Sequence, residues 1–392
     1  MKETIKLGFI SGLSGVYGWS AQDQLHGVTL AIEEINGQGG ISGKKVEIVT
    51  RDDTSDPKKA AEGTRDLIEK EKIDFLVGGL SAGTQLFINE ETKKAGILFV
   101  SIGQSNEITM SPHLGPYTFH EAITPHMTVQ GMGRWVFKNL GKKVFILMSD
   151  YEWGQHVLRA YELLAKEMGA QIIGVAKIPF PAKAPDDFSK HFPAILKAKP
   201  EVLIGANFGA DQLKFIEDVN TAGLQRQMSI VNTLSELPVM ERIPPEKATG
   251  LYWGAHFYWG LKDMLPEAKT FVSLYSQHFD GVPSGYAAYG YSGAMELLLA
   301  AQKVNRYPID SKAIAEELEG RAYTHCKDRQ WWRPCDHQSL QDYYILKLKG
   351  AEDRKHPHDI SEIIGITSWD LDMERSCEET GNGAYLWGHT KQ

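Results

Sequence analysis

Short apolar runs alternate with helix-period segments twice along this chain, and that alternation confines it to an α/β architecture with parallel sheets. In the first third, residues 5–10, 46–51, 73–79 and 97–101 read as strands. Between the first two, Leu25, Val28, Ile32 and Ile35 recur on one helical face. Ser20 is placed to cap that helix, with Asp23 three residues on, and Asn36-Gly37 to stop it. Asp56-Pro57 opens a second helix, because a first turn has no use for the N–H that proline lacks. Segment 85–96 supplies a third. Strands joined in this way form βαβ units, with the sheet covered on both faces.

The series restarts after Pro125. Strands are expected at 143–149, 171–176, 201–206 and 228–231, with helical segments near 155–168, 187–198 and 210–222. An aromatic-rich stretch at 250–259 follows, then helices near 264–279, 285–303 and 311–319. A strand at 342–349 leads to a glycine- and charge-rich tail. At 392 residues the chain is long for one core, so two lobes of similar size are expected.

The formal net charge of −8 leaves no basic face for nucleic-acid phosphates. No apolar run approaches the roughly 20 residues that span a bilayer. Met1-Lys2-Glu3-Thr4 lacks a basic segment followed by an apolar one. Two readings follow: a cytoplasmic protein, or a mature form whose signal peptide is not part of this sequence.

Cys326 and Cys335 flank a polar, aromatic loop, CKDRQWWRPC, and Cys377 lies in the tail. A Cys326–Cys335 disulfide would close about ten residues and contribute roughly 2–3 kcal/mol. It is the favoured reading and would place the protein outside the cytoplasm. Free thiols stay open, as does a zinc site recruiting His325 and His337, although the tight C-x₂₋₄-C spacing is missing.

Three motifs bear on function. Gly12, Gly15 and Gly18 are spaced G-x-x-G-x-x-G, which is not the dinucleotide fingerprint, and the acids that end the second strand, Asp52-Asp53, come too late for one. No cofactor is expected. The loop reads instead as a lip carrying Tyr17 and Trp19 to the carboxyl ends of the strands, where open α/β sheets bind ligands. Gly79-Leu80-Ser81-Ala82-Gly83 matches G-x-S-x-G, the nucleophile elbow of α/β-hydrolases. Only two strands precede it and no His-Gly-Gly loop lies upstream, so Ser81 to Thr84 read better as a helix N-terminus that binds an anion. Aromatic density at 251–260 and 284–293, which includes Tyr286, is mostly core, with a few rings left for pocket walls.

The runs IKLGFISGLSGVYGWSAQDQLHGVTLAIEEINGQGGISGKKVEIVTRDDTSDP, VGGLSAGTQ, GILFVSIGQSNEIT and DYEWG occur together in order. In them the chain resembles the leucine/isoleucine/valine-binding proteins and their relatives, the type I periplasmic solute-binding proteins of ABC importers. The likeness covers essentially the whole chain and weakens beyond about residue 320. It implies two Rossmann-like lobes with parallel sheets, joined by three crossing segments near 119–126, 250–255 and 323–336. The lobes are then 1–121 with 254–325 and 122–253 with 326–392. They close like a flytrap around ligand by a hinge motion, and a membrane permease recognises the closed form. No chemistry is done on the ligand.

The resemblance also implies ligand contacts. Ser81, Ala82, Gly83 and Thr84, with Gly103 and Ser105, match positions that hold a ligand carboxylate through hydroxyls and backbone N–H groups. Trp153 matches a covering tyrosine, and Asn207 or Phe208 another contact of the second lobe. Tyr17, Thr233, His256 and Tyr286 complete the expected set. One departure matters. Where amino-acid binders of the family place a carboxylate for the ligand ammonium, this chain offers Asn232, Thr233 and Leu234, and the nearest acid is Glu236. An unpaired buried ammonium is costly. The favoured ligand is therefore a small aromatic or hydrophobic carboxylate, with an amino acid next. A periplasmic monomer feeding an ABC permease is the expectation. The alternatives are a hydrolase using Ser81 and the ligand-sensing part of a receptor or regulator.

Overall fold

In the computed structural model, which describes residues 3–247 and 250–368, each apolar run that reads as a strand forms one. The chain begins β1 (Ile5–Ser11), α1 (Gly18–Gly37), β2 (Val46–Asp52), α2 (Pro57–Glu69), β3 (Phe75–Gly78), α3 (Ala82–Ala95), β4 (Leu98–Ser101) and β5 (Thr118–His120). These strands make one parallel sheet in the order β2-β1-β3-β4-β5. The order reverses direction between β1 and β3, which fixes a topological switch point at their carboxyl ends.

A second series follows: α4 (Pro125–Asn139), β6 (Lys143–Asp150), α5 (Glu152–Met168), β7 (Gln171–Pro179), α6 (Phe192–Ala198), β8 (Val202–Ala206), α7 (Gly209–Ala222), β9 (Ser229–Asn232), α8 (Leu237–Met240) and β10 (Leu251–Ala255). Then come α9 (Pro266–His278), α10 (Gly285–Val304), α11 (Ser311–Leu318), β11 (Ala322–Tyr323), β12 (Gln330–Trp332), β13 (Ser339–Leu340), β14 (Tyr343–Leu348) and β15 (Ser361–Thr367). The second sheet runs β15-β14-β10-β9-β8-β6-β7, with β14 antiparallel to both of its neighbours, β10 and β15. A small antiparallel sheet, β11-β12-β13, has no counterpart in the sequence reading.

The chain forms two compact units. Of the described residues, the first takes those up to Thr124 and Leu261–Gln341, and the second takes Pro125–Gly260 and those from Asp342 to Ser368. The chain thus changes unit at 124/125, 260/261 and 341/342. Residues 326–341 belong to the first unit rather than to the second, because β12 and β13 pair with β11.

Local chemistry explains several boundaries. Asp56 caps α2, its Oδ1 accepting from Lys58 N at 2.8 Å and Lys59 N at 3.1 Å. Ser20 does not cap α1. The helix starts earlier, with Tyr17 at the N-cap, so Ser20 falls inside the first turn. In the first unit α1 and α10 touch backbone to backbone. A Cβ on Gly27 would lie 2.1 Å from Ala287 O, and one on Gly290 would lie 2.1 Å from Gln24 O. Two glycines facing each other's backbones allow this approach, and larger residues would push the helices apart.

The Cys326–Cys335 disulfide does not form. Cys326 lies in the β11–β12 connection and Cys335 in the β12–β13 connection, so β12 holds them at opposite ends. Cys326 is a buried free thiol with Sγ 3.8 Å from Ala288 O, and burial pushes its pKa up to about 12. The zinc reading fails with it. His325 Nε2 meets Glu296 Oε1 at 2.7 Å, while His337 lies between Thr118 O at 2.9 Å and Glu319 Oε1 at 2.8 Å. Cys377 lies outside the described residues.

Candidate functional site

In the first unit the carboxyl ends of β1, β3 and β4 carry the expected groups. Ser81 is the N-cap of α3, in extended conformation (φ −75°, ψ 134°), and its hydroxyl makes no capping bond. The N–H groups of Ala82, Gly83 and Thr84 open the helix, so a half-buried hydroxyl and first-turn donors face the positive end of a fourteen-residue dipole. Thr84 is buried and its Oγ1 donates to Ser81 O at 3.1 Å, which occupies that hydroxyl. Among the described residues no hydrogen bond joins Ser81 Oγ to a histidine, so the nucleophile arrangement suggested by G-x-S-x-G is not assembled.

The turn after β4 is pressed onto the turn after β3. A Cβ on Gly103 would lie 2.2 Å from both Gly79 O and Leu80 O. The structure therefore brings Ser81–Thr84 and Gly103–Ser105 together. Ser105 is buried and its Oγ accepts from Glu107 N at 3.1 Å, leaving its proton to donate. Gly103 O accepts from His120 Nε2 at 2.6 Å, and His120 Nδ1 lies 2.7 Å from Gln338 Oε1. Burial pushes the His120 imidazole pKa down. Tyr17 sits at the start of α1, and Tyr286, buried, meets the edge of Trp19 at 5.8 Å.

Two supports of these turns escaped the sequence reading. Gln85, fully buried one turn into α3, accepts from Ser101 Oγ at 2.6 Å, and its Nε2 has no partner among the described residues. The i+4 spacing from Ser81 was the available signal. His120 had none, since a three-residue strand shows no period.

At the end of β2, Asp53 is fully buried. Its Oδ1 accepts from Ser55 N at 2.7 Å, and its Oδ2 has no partner among the described residues. Burial raises its pKa to about 6, well above the usual carboxylate range. The native state then holds a proton that the unfolded chain has lost, so stability falls as pH rises from about 4 to about 6. The full effect is on the order of 3 kcal/mol. Asp53→Asn should raise the urea midpoint at pH 7.5 but not at pH 4. Equal shifts at both pH values would show that Asp53 titrates normally.

In the second unit Trp153 opens α5, is buried, and stacks with Tyr151 at 6.2 Å, which in turn stacks on Phe180 at 4.2 Å. Asn207 follows β8 directly, and Phe208 is the N-cap of α7. Trp153, Asn207 and Phe208 thus stand at the ends of the adjacent strands β6 and β8. Thr233 does not present its hydroxyl there. It is fully buried, its Oγ1 lies 3.1 Å from Tyr161 OH, and its carbonyl accepts from Tyr343 OH. His256 is fully buried just past β10. Glu236, 2% exposed, is the N-cap of α8.

Asn232, outside the expected contact set, ends β9. It is 0% exposed, and neither Oδ1 nor Nδ2 has a partner among the described residues. An unmet buried polar group costs about 1–3 kcal/mol. The alternation of strand residues could assign Asn232 to a face, but not reveal that its amide is unmet.

A family model described as periplasmic binding protein matches residues 4–354. Leu/Ile/Val-binding protein homolog 7 of Brucella abortus (strain 2308) is 24% identical over 330 residues, 80% of this chain and 80% of that protein. The fold is similar to that of an amino acid ABC transporter substrate-binding protein from Pseudomonas fluorescens Pf-5. The TM-score is 0.89 at 20% identity, covering 97% of this chain and 99% of that one. A solute binding protein of an ABC transporter from Rhodopseudomonas palustris BisB5, solved in complex with 3,4-dihydroxybenzoic acid, gives 0.81 at 20% identity, over 94% and 98%.

Proposed function

The chain belongs to the periplasmic binding protein family, and from that premise we propose that it is the periplasmic solute-binding component of a branched-chain-amino-acid-type ABC importer. Its cargo is a small carboxylate, an aromatic or hydrophobic organic acid ahead of an α-amino acid. The family is one of solute-binding proteins that deliver small molecules to ABC permeases, and no described helix is long and apolar enough to cross a membrane.

The observation that carries the reading is the α3 N-terminus, where Ser81 Oγ makes no capping bond among the described residues and the Gly103 turn is packed against it. Oriented N–H groups and a hydroxyl suit an anion without placing a competing cation beside it. The Asn232–Leu234 stretch supports the preference for an amine-free acid, because it supplies no carboxylate for an ammonium. The Rhodopseudomonas neighbour, whose structure holds an aromatic acid, is in keeping with that preference.

The test is a thermal-shift panel of matched acids with and without an α-amino group, such as 4-methylpentanoate with leucine and hydrocinnamate with phenylalanine, together with benzoates. At 1,000 times its Kd a ligand should stabilise by about 4 kcal/mol, a rise of a few degrees. Ser81→Ala should weaken the responding acid about tenfold or more, the worth of a hydrogen bond to a charged group. A response from the amino acids alone would assign the ammonium to Glu236 and reject the amine-free preference. No response to any acid would reject the carboxylate.

A further inference from the structure

Two side-chain amides at the carboxyl edge of the second sheet are not fully met by partners among the described residues. Asn232, at the end of β9, has neither amide atom partnered among the described residues. Asn207, 1% exposed, donates from Nδ2 to Ser149 Oγ at 3.0 Å, and its Oδ1 is likewise unmet. β8 and β9 are neighbouring parallel strands, with Gly205 in register opposite Asn232. Gly205 leaves room for the amide, since a Cβ there would lie 3.1 Å from Asn232 Oδ1. The two asparagines therefore stand at adjacent strand ends, where α7 begins.

The polar groups around them are committed elsewhere. Gln212 donates to Leu234 O at 2.7 Å and accepts from Ser235 Oγ at 2.6 Å, and Asp211 accepts from Ala182 N at 3.0 Å. On these two side chains, one N–H₂ group and two carbonyl oxygens have no partner among the described residues. An ammonium offers only donors and would leave Asn232 Nδ2 unmet, whereas a carboxylate offers only acceptors and would face two carbonyl oxygens. A hydroxyl or carboxamide both donates and accepts.

We propose that Asn207 and Asn232 are specificity-determining residues that receive a neutral donor–acceptor group of the solute, a hydroxyl or a carboxamide. This rests on the solute-binding reading above and narrows its ligand class to acids that carry such a group. A buried site built to bond a hydroxyl discriminates strongly against the analogue without one, because the protein groups are then left unpaired.

Calorimetric titration of 4-hydroxybenzoate and benzoate, and of 4-carbamoylbenzoate as the carboxamide, tests it. The unmodified protein should bind one of the two substituted acids at least about 100-fold tighter than benzoate. Asn232→Leu, similar in volume and apolar, should abolish that ratio. Asn207→Leu should reduce it and serves if the first variant does not fold. Equal binding of all three acids by the unmodified protein overturns the assignment and leaves the carboxylate reading intact. So does a ratio that survives both substitutions. No binding of any acid, here or in the wider panel, overturns both.

Discussion

Gly103→Val should weaken carboxylate binding by about 100-fold or more, while the protein still unfolds in one cooperative transition for each unit. The reason is the 2.2 Å separation that any Cβ at this position would have from the carbonyls of Gly79 and Leu80. Those are backbone atoms just ahead of Ser81, so no side chain can swing away to make room. The two turns must part, and the donors of the α3 first turn and of the Gly103–Ser105 turn then no longer converge. Losing two charge-assisted hydrogen bonds, each worth about 1.5–3 kcal/mol, accounts for the effect. Overpacking itself should cost about 1–3 kcal/mol of stability. Titration with the acid identified by thermal shift measures the first quantity and urea unfolding the second. A valine variant that binds like the unmodified protein would mean that the two turns do not share an anion.

Lys327→Met should cost about 3–5 kcal/mol, the penalty for stranding one member of a buried charge pair. Lys327 is 1% exposed, bonds Gln341 Oε1 through Nζ, and lies 5.6 Å over the Tyr289 ring. Its charge favours the ionised form of Glu121, which is fully buried and takes hydrogen bonds from Tyr323 OH and, at 2.7 Å, from Gln330 Nε2. Burial already raises the Glu121 pKa against that pull. Without the lysine Glu121 keeps its proton to higher pH. A raised carboxyl pKa confers stability at low pH that is lost as pH rises, so the variant should suffer more at pH 8 than at pH 5. Adding Glu121→Gln should recover much of the loss, with a coupling of about 1–3 kcal/mol in urea melts. Strict additivity of the two substitutions would show that the charges do not interact.

The sheets were legible because buried parallel strands are short apolar runs between helices, and 5–10, 143–149 and 201–206 carry that signal strongly. Asp56-Pro57 marked a helix start for a stereochemical reason and formed one. Where the pattern was too brief, it failed. Thr118–His120 is three residues long, and β11 and β13 are two each, so no period could mark them. The cysteines misled because nine positions in sequence suggested closeness, while an intervening strand separated them. Ser81 could be found from the strand–turn–helix spacing. The role of Gly103 in bringing the turns together, and the unmet amide of Asn232, depend on neighbours from other strands, and nothing local encodes them.

The pairing of α1 with α10 has a consequence for how the chain is made. Gly27 meets Ala287, a partner synthesised some 260 residues later, and the second sheet waits for β14 and β15 beyond Asp342. No contiguous stretch contains either unit. A nascent chain that ends at Gly260 holds ten strands yet can finish neither hydrophobic core, so its apolar seams stay open until synthesis is nearly done. Contacts this distant in sequence slow folding, because the loops between them must close first.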